Sequence, residues 1–197
     1  MPFLSETDRR SLLEFARVAI AESVLHQRLP CDIPSGGVFS LKRGAFVTIH
    51  SRGRLRGCIG VVEAYEPLGA AIARCAASAA LHDPRFSPVQ AEELSQLQIE
   101  ISLLTPPEPI HADGIEIGKH GLIVSQAGKR GLLLPQVATE HQLTREQFLE
   151  ETCRKAGLSA NAWKEPETKI EGFMCEVFAE SQPITHGPDT GNENLLS

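Results

Sequence analysis

Leu12, Phe15, Ala16, Ala19, Ile20 and Val24 recur every three to four positions near the start of the chain. That period marks one face of a helix and predicts one over residues 7–29. Ser5 or Thr7 can cap it, Glu6 and Asp8 sit near its positive end, and Pro30 stops it. The pattern changes after the Pro- and Gly-rich stretch 29–42. Residues 45–50 are β-branched and aromatic, 51–54 read as a turn, and 55–62 form a second strand, so the two make a hairpin. A two-residue Arg52-Gly53 turn sets His50 opposite Leu55, on the other face from Cys58. Residues 67–81 read as an alanine-rich helix with Pro67 in its first turn. Asp83-Pro84-Arg85-Phe86 is a loop, and Ser87-Pro88 open a short helix through Leu94.

Strict alternation returns at 97–104, where Leu97, Ile99, Ile101 and Leu103 oppose Gln98, Glu100 and Ser102. Pro106, Pro107 and Pro109 end that strand. Apolar runs at 122–125 and 132–134 flank Gln126-Ala127-Gly128-Lys129, a second hairpin. Thr144-x-x-Gln147 is a capping box before a helix ending at Gly157, and Ser159 caps a short turn carrying Trp163. The last strand is 172–179, and 182–197 reads as a flexible C-terminal tail. Hairpins among interspersed helices predict an α+β fold with a mainly antiparallel sheet flanked by helices.

Composition narrows the class. With 197 residues and 42% hydrophobic content, the chain can bury a full core without disulfide or metal staples. No run of apolar residues is long enough to span a membrane, so no membrane association is expected. The start lacks the pattern of a signal peptide. Five cysteines without a C-x-x-C pair point to reduced thiols and a cytoplasmic protein. Metal binding is not expected, because no H-x-x-x-H, H-x-E or paired-Cys spacing occurs. The net charge of −6 counts against a dedicated nucleic-acid binder. Yet Lys42, Arg43, Arg52, Arg54 and Arg56 fall in an acid-free stretch from Ile33 to Val62. With +5 there and −6 overall, the rest carries −11, and a local surface for an anionic ligand survives.

Leu55-Arg56-Gly57-Cys58-Ile59-Gly60 is the sharpest local feature. Period two puts Arg56, Cys58 and Gly60 on one face. A guanidinium near a thiol favours the thiolate, and Gly57 and Gly60 admit another backbone or a ligand. Cys58 is thus a candidate nucleophile, or Arg56 an anion site; the bland alternative is a small core thiol. A nucleophile needs a base, and His82 and His120 are the candidates kept once the hairpin register weakens His50. Asp83 and Arg85 could hold a substrate or form a local ion pair. Glu100 is on the polar face of its strand, and Gln136 can donate and accept.

These stretches resemble the AMMECR domain family. Arg43-Gly44-Ala45-Phe46-Val47-Thr48 and the Leu-Arg-Gly-Cys-Ile-Gly hexapeptide look like its hallmark segment. Asp83-Pro84-Arg85-Phe86 and Leu97-x-Ile99-Glu100-Ile101-Ser102 fit its middle. Ile117-Gly118-x-His120-Gly121-Leu122 and Leu133-Leu134-Pro135-Gln136-Val137-Ala138 fit its later half. The helix through Cys153–Leu158, Trp163 and Glu176-Val177-Phe178 complete the match over 7–181, a single domain. The resemblance implies a larger and a smaller subdomain with a cleft between them. It implies no settled activity and no cofactor. It implies work beside a Memo-like protein and a radical S-adenosylmethionine enzyme, as an accessory or ligand-binding component. An enzyme using Cys58 is the alternative reading; nucleic-acid binding through 42–56 is the weakest.

Overall fold

Ala45, Val47 and Ile49 alternate with Phe46, Thr48 and His50 along β1 (Ala45–Ser51), and the first three are fully buried. A computed structural model, which describes residues 4–181, shows what buries them. Helices α1 (Glu6–His26) and α2 (Leu68–Leu81) pack on each other, and α2 lies against β1 and its neighbour β2 (Arg54–Val61). Ser5 caps α1 by accepting from the Asp8 amide, as expected. The helix ends before Pro30, because Gln27 turns left-handed (φ 54°) and returns its amide to the Ser23 carbonyl.

The Arg52-Gly53 turn has φ values of 51° and 72°, the mirror-image geometry that suits a two-residue hairpin. His50 stands opposite Leu55, as the turn predicts. One step later the register shifts, so Ile49 pairs with Gly57 and Thr48 with Cys58, leaving Arg56 as a bulge. The bulge overturns strict period two. Paired residues share a face, so Leu55, His50, Thr48 and Cys58 lie together, and Arg56 leaves the row.

Among the described residues the sheet has seven strands, and the pairings are antiparallel. Six follow the order β2-β1-β3-β7-β5-β6, with β3 at Leu97–Leu104, β5 at His120–Gln126, β6 at Lys129–Leu133 and β7 at Lys169–Ala179. The seventh, β4 (Glu108–Pro109), pairs with β7. The β7 strand is eleven residues long and joins two halves: 175–179 pair with β3, and 169–174 pair with β5. Helices α3 (Pro135–Glu140) and α4 (Arg145–Lys155) cover the second half. The predicted Thr144–Gln147 capping box is formed in both directions.

Among the described residues four apolar clusters hold these layers. One lies under α1 and α2. A second joins Ile115, Leu122, Ala138, Phe148 and Leu149 under α3 and α4. Leu104, Ile123 and Phe173 make a small third cluster with Phe46 and Leu134 against them. Val124 of β5, Cys153 of α4 and Ala162 make a fourth. One local expectation fails. Residues 87–94 form no helix until a short 3-10 segment at Ala91–Gln96, because the Ser87 carbonyl accepts from Arg56 and the Val89 amide donates to Ala80. Gln136 lies in the first turn of α3. The expected tail, 182–197, lies outside the described residues.

Candidate functional site

Among the described residues the outer edge of β2 presents backbone groups with no strand beside them, a liability that a folded chain has to cover. At Cys58 the cover comes from the loop after α2. The Asp83 carboxylate accepts from the Cys58 amide (2.9 Å), from the Arg85 amide (3.1 Å) and from the Arg85 guanidinium (2.7 and 2.9 Å). Arg85 in turn donates to the Cys58 carbonyl (3.3 Å). One residue of β2 is thereby held at both its N–H and its C=O. Asp83 is buried, and hydrogen bonds from Arg85, opposed by burial and joined by those from two backbone amides, keep its carboxyl well below the usual carboxylate range. The ion pair foreseen inside the Asp-Pro-Arg loop exists, but it is anchored on a buried carboxylate rather than left in solvent.

The Cys58 side chain points to the face away from α1 and α2. The Thr48 hydroxyl reaches its Sγ at 3.3 Å. The Arg85 guanidinium also lies close to this thiol, which adds to the rise in the Arg85 pKa that Asp83 dominates. Glu100 is opposite Thr48 on the next strand, so Cys58, Thr48 and Glu100 form one row across β2, β1 and β3. Cys58 and Glu100 are half-buried, and Glu100 has no hydrogen-bond or ion-pair partner among the described residues. Two apolar residues on this face are open to water: Leu55 at 40% and Val177 at 44%.

Other candidates are elsewhere. Arg56, sent out of the row by the bulge, pairs with Glu93 (2.9 and 3.1 Å) and the Ser87 carbonyl (2.8 Å). The cation beside the thiol is Arg85. His82 ends α2 and lines a depression with Ser23, Arg28 and Val89 on the helical side of the sheet. His120 lies four strands over from Cys58, opposite Met174, and its Nδ1 accepts from the Glu116 amide at 3.0 Å. No imidazole is a hydrogen-bond partner of Cys58 among the described residues. The histidine on its face is His50, two residues along β1 from Thr48; period two had turned it away, and only the bulge brings it round. Gln136 reaches another thiol, Cys175, on which burial pushes the pKa up to about 11 while hydrogen bonds from Ser102 and Gln136 hold it down. Gly57 and Gly60 admit protein rather than an open space: a Cβ on Gly57 would be 2.1 Å from the Ala79 carbonyl, and the Gly60 position faces the Phe46 ring.

The basic segment is dispersed as well. Arg52 bonds Gln96 at one end of β1, whereas Lys42 and Arg43 precede its other end, roughly 20 Å away along the seven-residue strand. Among the described residues no group of three or more His, Cys, Asp or Glu is disposed to hold a metal ion. No helix there is long and apolar enough to cross a membrane.

The family model described as AMMECR1 matches residues 13–178. A protein of Methanothermobacter thermautotrophicus is 46% identical over 187 residues, covering 90% of this chain and 96% of its own. One from Methanosarcina acetivorans is 44% identical over 192 residues, covering 91% and 95%. The crystal structure of an uncharacterized protein from Pyrococcus horikoshii superposes with a TM-score of 0.81 at 37% identity, over 90% of this chain and 94% of that one.

Proposed function

This chain belongs to the AMMECR1 family, and from that premise we propose that it is a binding component working beside a Memo-like protein and a radical S-adenosylmethionine enzyme. Its docking face is the row Cys58–Thr48–Glu100 with Leu55 and Val177 beside it. The observation that carries this reading is Glu100, a half-buried carboxylate with no hydrogen bond or ion pair among the described residues, on a face that also exposes Leu55 and Val177. A half-buried carboxylate that makes no hydrogen bonds gains a partner's when its face is covered. Separate apolar clusters under α1/α2 and under α3/α4 support two subdomains with a cleft between them. Five free cysteines support a cytoplasmic setting. Co-expression of the tagged chain with both partner proteins tests the reading. Recovery of a partner is expected, with at least a tenfold loss in Val177→Asp and Glu100→Lys. Recovery of neither protein, or full recovery by both variants, would sink it.

An enzyme with Cys58 as nucleophile is the second reading, favoured by Arg85 beside the thiol and His50 on the same face. Its first requirement is access. In native protein at neutral pH, alkylation should label Cys58 along with exposed Cys31. Cys75, Cys153 and Cys175 should wait for unfolding, since burial raises the pKa of each. If Cys58 stays unlabelled until the chain unfolds, this reading fails. The basic segment gives nucleic-acid binding little support, its charges being split between the two ends of β1.

A further inference from the structure

A different part of the molecule gathers the cations that Cys58 does not use. Lys42 and Arg43, just before β1, line a depression of about 500 Å³ with Arg130 of the β5–β6 hairpin and Lys169 at the start of β7. Glu63 and Glu171 share the lining, and Glu63 is already ion-paired with Arg130. Four cations against two carboxylates leave a local excess of positive charge in a chain whose total is −6. Arg43 is half-buried, with no hydrogen bond or ion pair among the described residues. A guanidinium partly withdrawn from water without a carboxylate is costly unless something else supplies the acceptors.

The same Arg43, with Thr105 and Pro106, forms the wall of a second depression of about 380 Å³. That one leads past Ile110 to His120. Two donors are oriented by the fold there. The Thr105 hydroxyl oxygen accepts from the Met174 amide at 2.9 Å, which leaves its proton to give away. His120 Nδ1 is occupied by the Glu116 amide, so in the neutral imidazole the proton resides on Nε2.

We propose that these joined depressions form a binding site for an organic phosphate monoester. Its dianion is held by Arg43, Lys42 and Lys169, and its carbon body lies along Ile110 toward His120. A phosphate matches the planar fork of Arg43 and carries close to two charges near neutral pH. Inorganic phosphate would leave the second depression unused, and a monocarboxylate would leave part of the positive charge unanswered. The site is independent of the Cys58 face, since Arg43 precedes β1 by two residues whereas Thr48, opposite Cys58, lies in mid-strand.

Phenyl phosphate is the probe, titrated into the full chain at low salt by calorimetry or by shifts of backbone amide resonances. Saturable binding is expected, at least tenfold tighter than for inorganic phosphate or benzoate. Arg43→Gln should weaken it at least tenfold without lowering the thermal midpoint, since the unpartnered guanidinium is itself costly to the free chain. Glu171→Gln, which removes one of the two carboxylates of the joined site that have no ion pair among the described residues (Glu108 of the second depression is the other), should tighten it, and added salt should weaken it. Should Arg43→Gln fail to fold, Lys169→Gln and Glu171→Gln still test the sign of the electrostatic effect. Absence of saturation by about 10 mM overturns the site. Equal affinity for inorganic phosphate overturns the organic half of the assignment, and equal affinity for benzoate overturns the phosphate.

Discussion

Asp83 holds the Cys58 edge with one carboxylate that accepts four hydrogen bonds, two of them from backbone amides. Asp83→Asn keeps the size but removes the charge and one acceptor. The expected cost near neutral pH is about 2 kcal/mol, the scale of a hydrogen bond to a charged group. The pH dependence gives a sharper test. The carboxyl is depressed in the folded chain relative to an unfolded value of about 3.9. Its contribution is therefore complete above about pH 4 and drains away as the pH falls toward the folded value. Urea midpoints measured from pH 7 to pH 2 should show the gap between the natural chain and Asp83→Asn narrowing below pH 4. A gap that stays constant would mean that the charge plays no part.

At the scale of the element, close approach governs the hexapeptide. The alanine-rich end of α2 sits on β2 where Gly57 has no side chain, and a Cβ there would overlap the Ala79 carbonyl. Gly57→Ala should push helix and strand apart at a cost of about 3 kcal/mol, read from chemical denaturation, because backbone cannot rotate aside as a side chain can. The same region marks what the sequence could reveal. α1, both hairpins and the α4 capping box are written in neighbouring residues, and each forms as expected. The bulge at Arg56 is not local. It depends on β1 pairing as well as on contacts with Glu93 and Ser87, more than thirty positions away. Without the bulge, His50 falls on the wrong face, Arg56 falls beside the thiol, and Thr48 goes unnoticed. The helix expected at 87–94 fails for a related reason: its backbone groups bond to α2 and to Arg56 instead. Asp83 and Arg85 stand out in the sequence as a pair, but not the strand edge that they cover.

For the whole molecule, the small cluster of Leu104, Ile123 and Phe173 matters out of proportion to its size. It draws residues from β3, β5 and β7 together, with Phe46 of β1 and Leu132 and Leu134 packed against it, so it ties strands of the first half to strands of the second. Phe173 is 2% exposed, so Phe173→Ala should cost about 3–5 kcal/mol. The loss should also weaken the linkage between the halves. Trp163 packs in the second core and reports on that half, whereas far-ultraviolet dichroism reports on both. The two probes should give coincident unfolding curves in the natural chain and separate ones in Phe173→Ala. Coincident curves in the variant would show that the pairing of β7 alone couples the halves.

The position of β7 has a consequence for how the chain is made. Of the seven described strands it is synthesised last, yet it lies between β3 and β5 in the middle of the sheet. Until its eleven residues emerge, a nascent chain carries two hairpin-bearing halves with nothing to zip them together. Each presents an open inner edge, and the edge of β3 is rich in leucine and isoleucine. Vectorial synthesis thus prolongs the interval in which self-association competes with folding. Chains arrested just before residue 169 should bind holdase chaperones and aggregate, whereas the finished chain closes its sheet in a single late step.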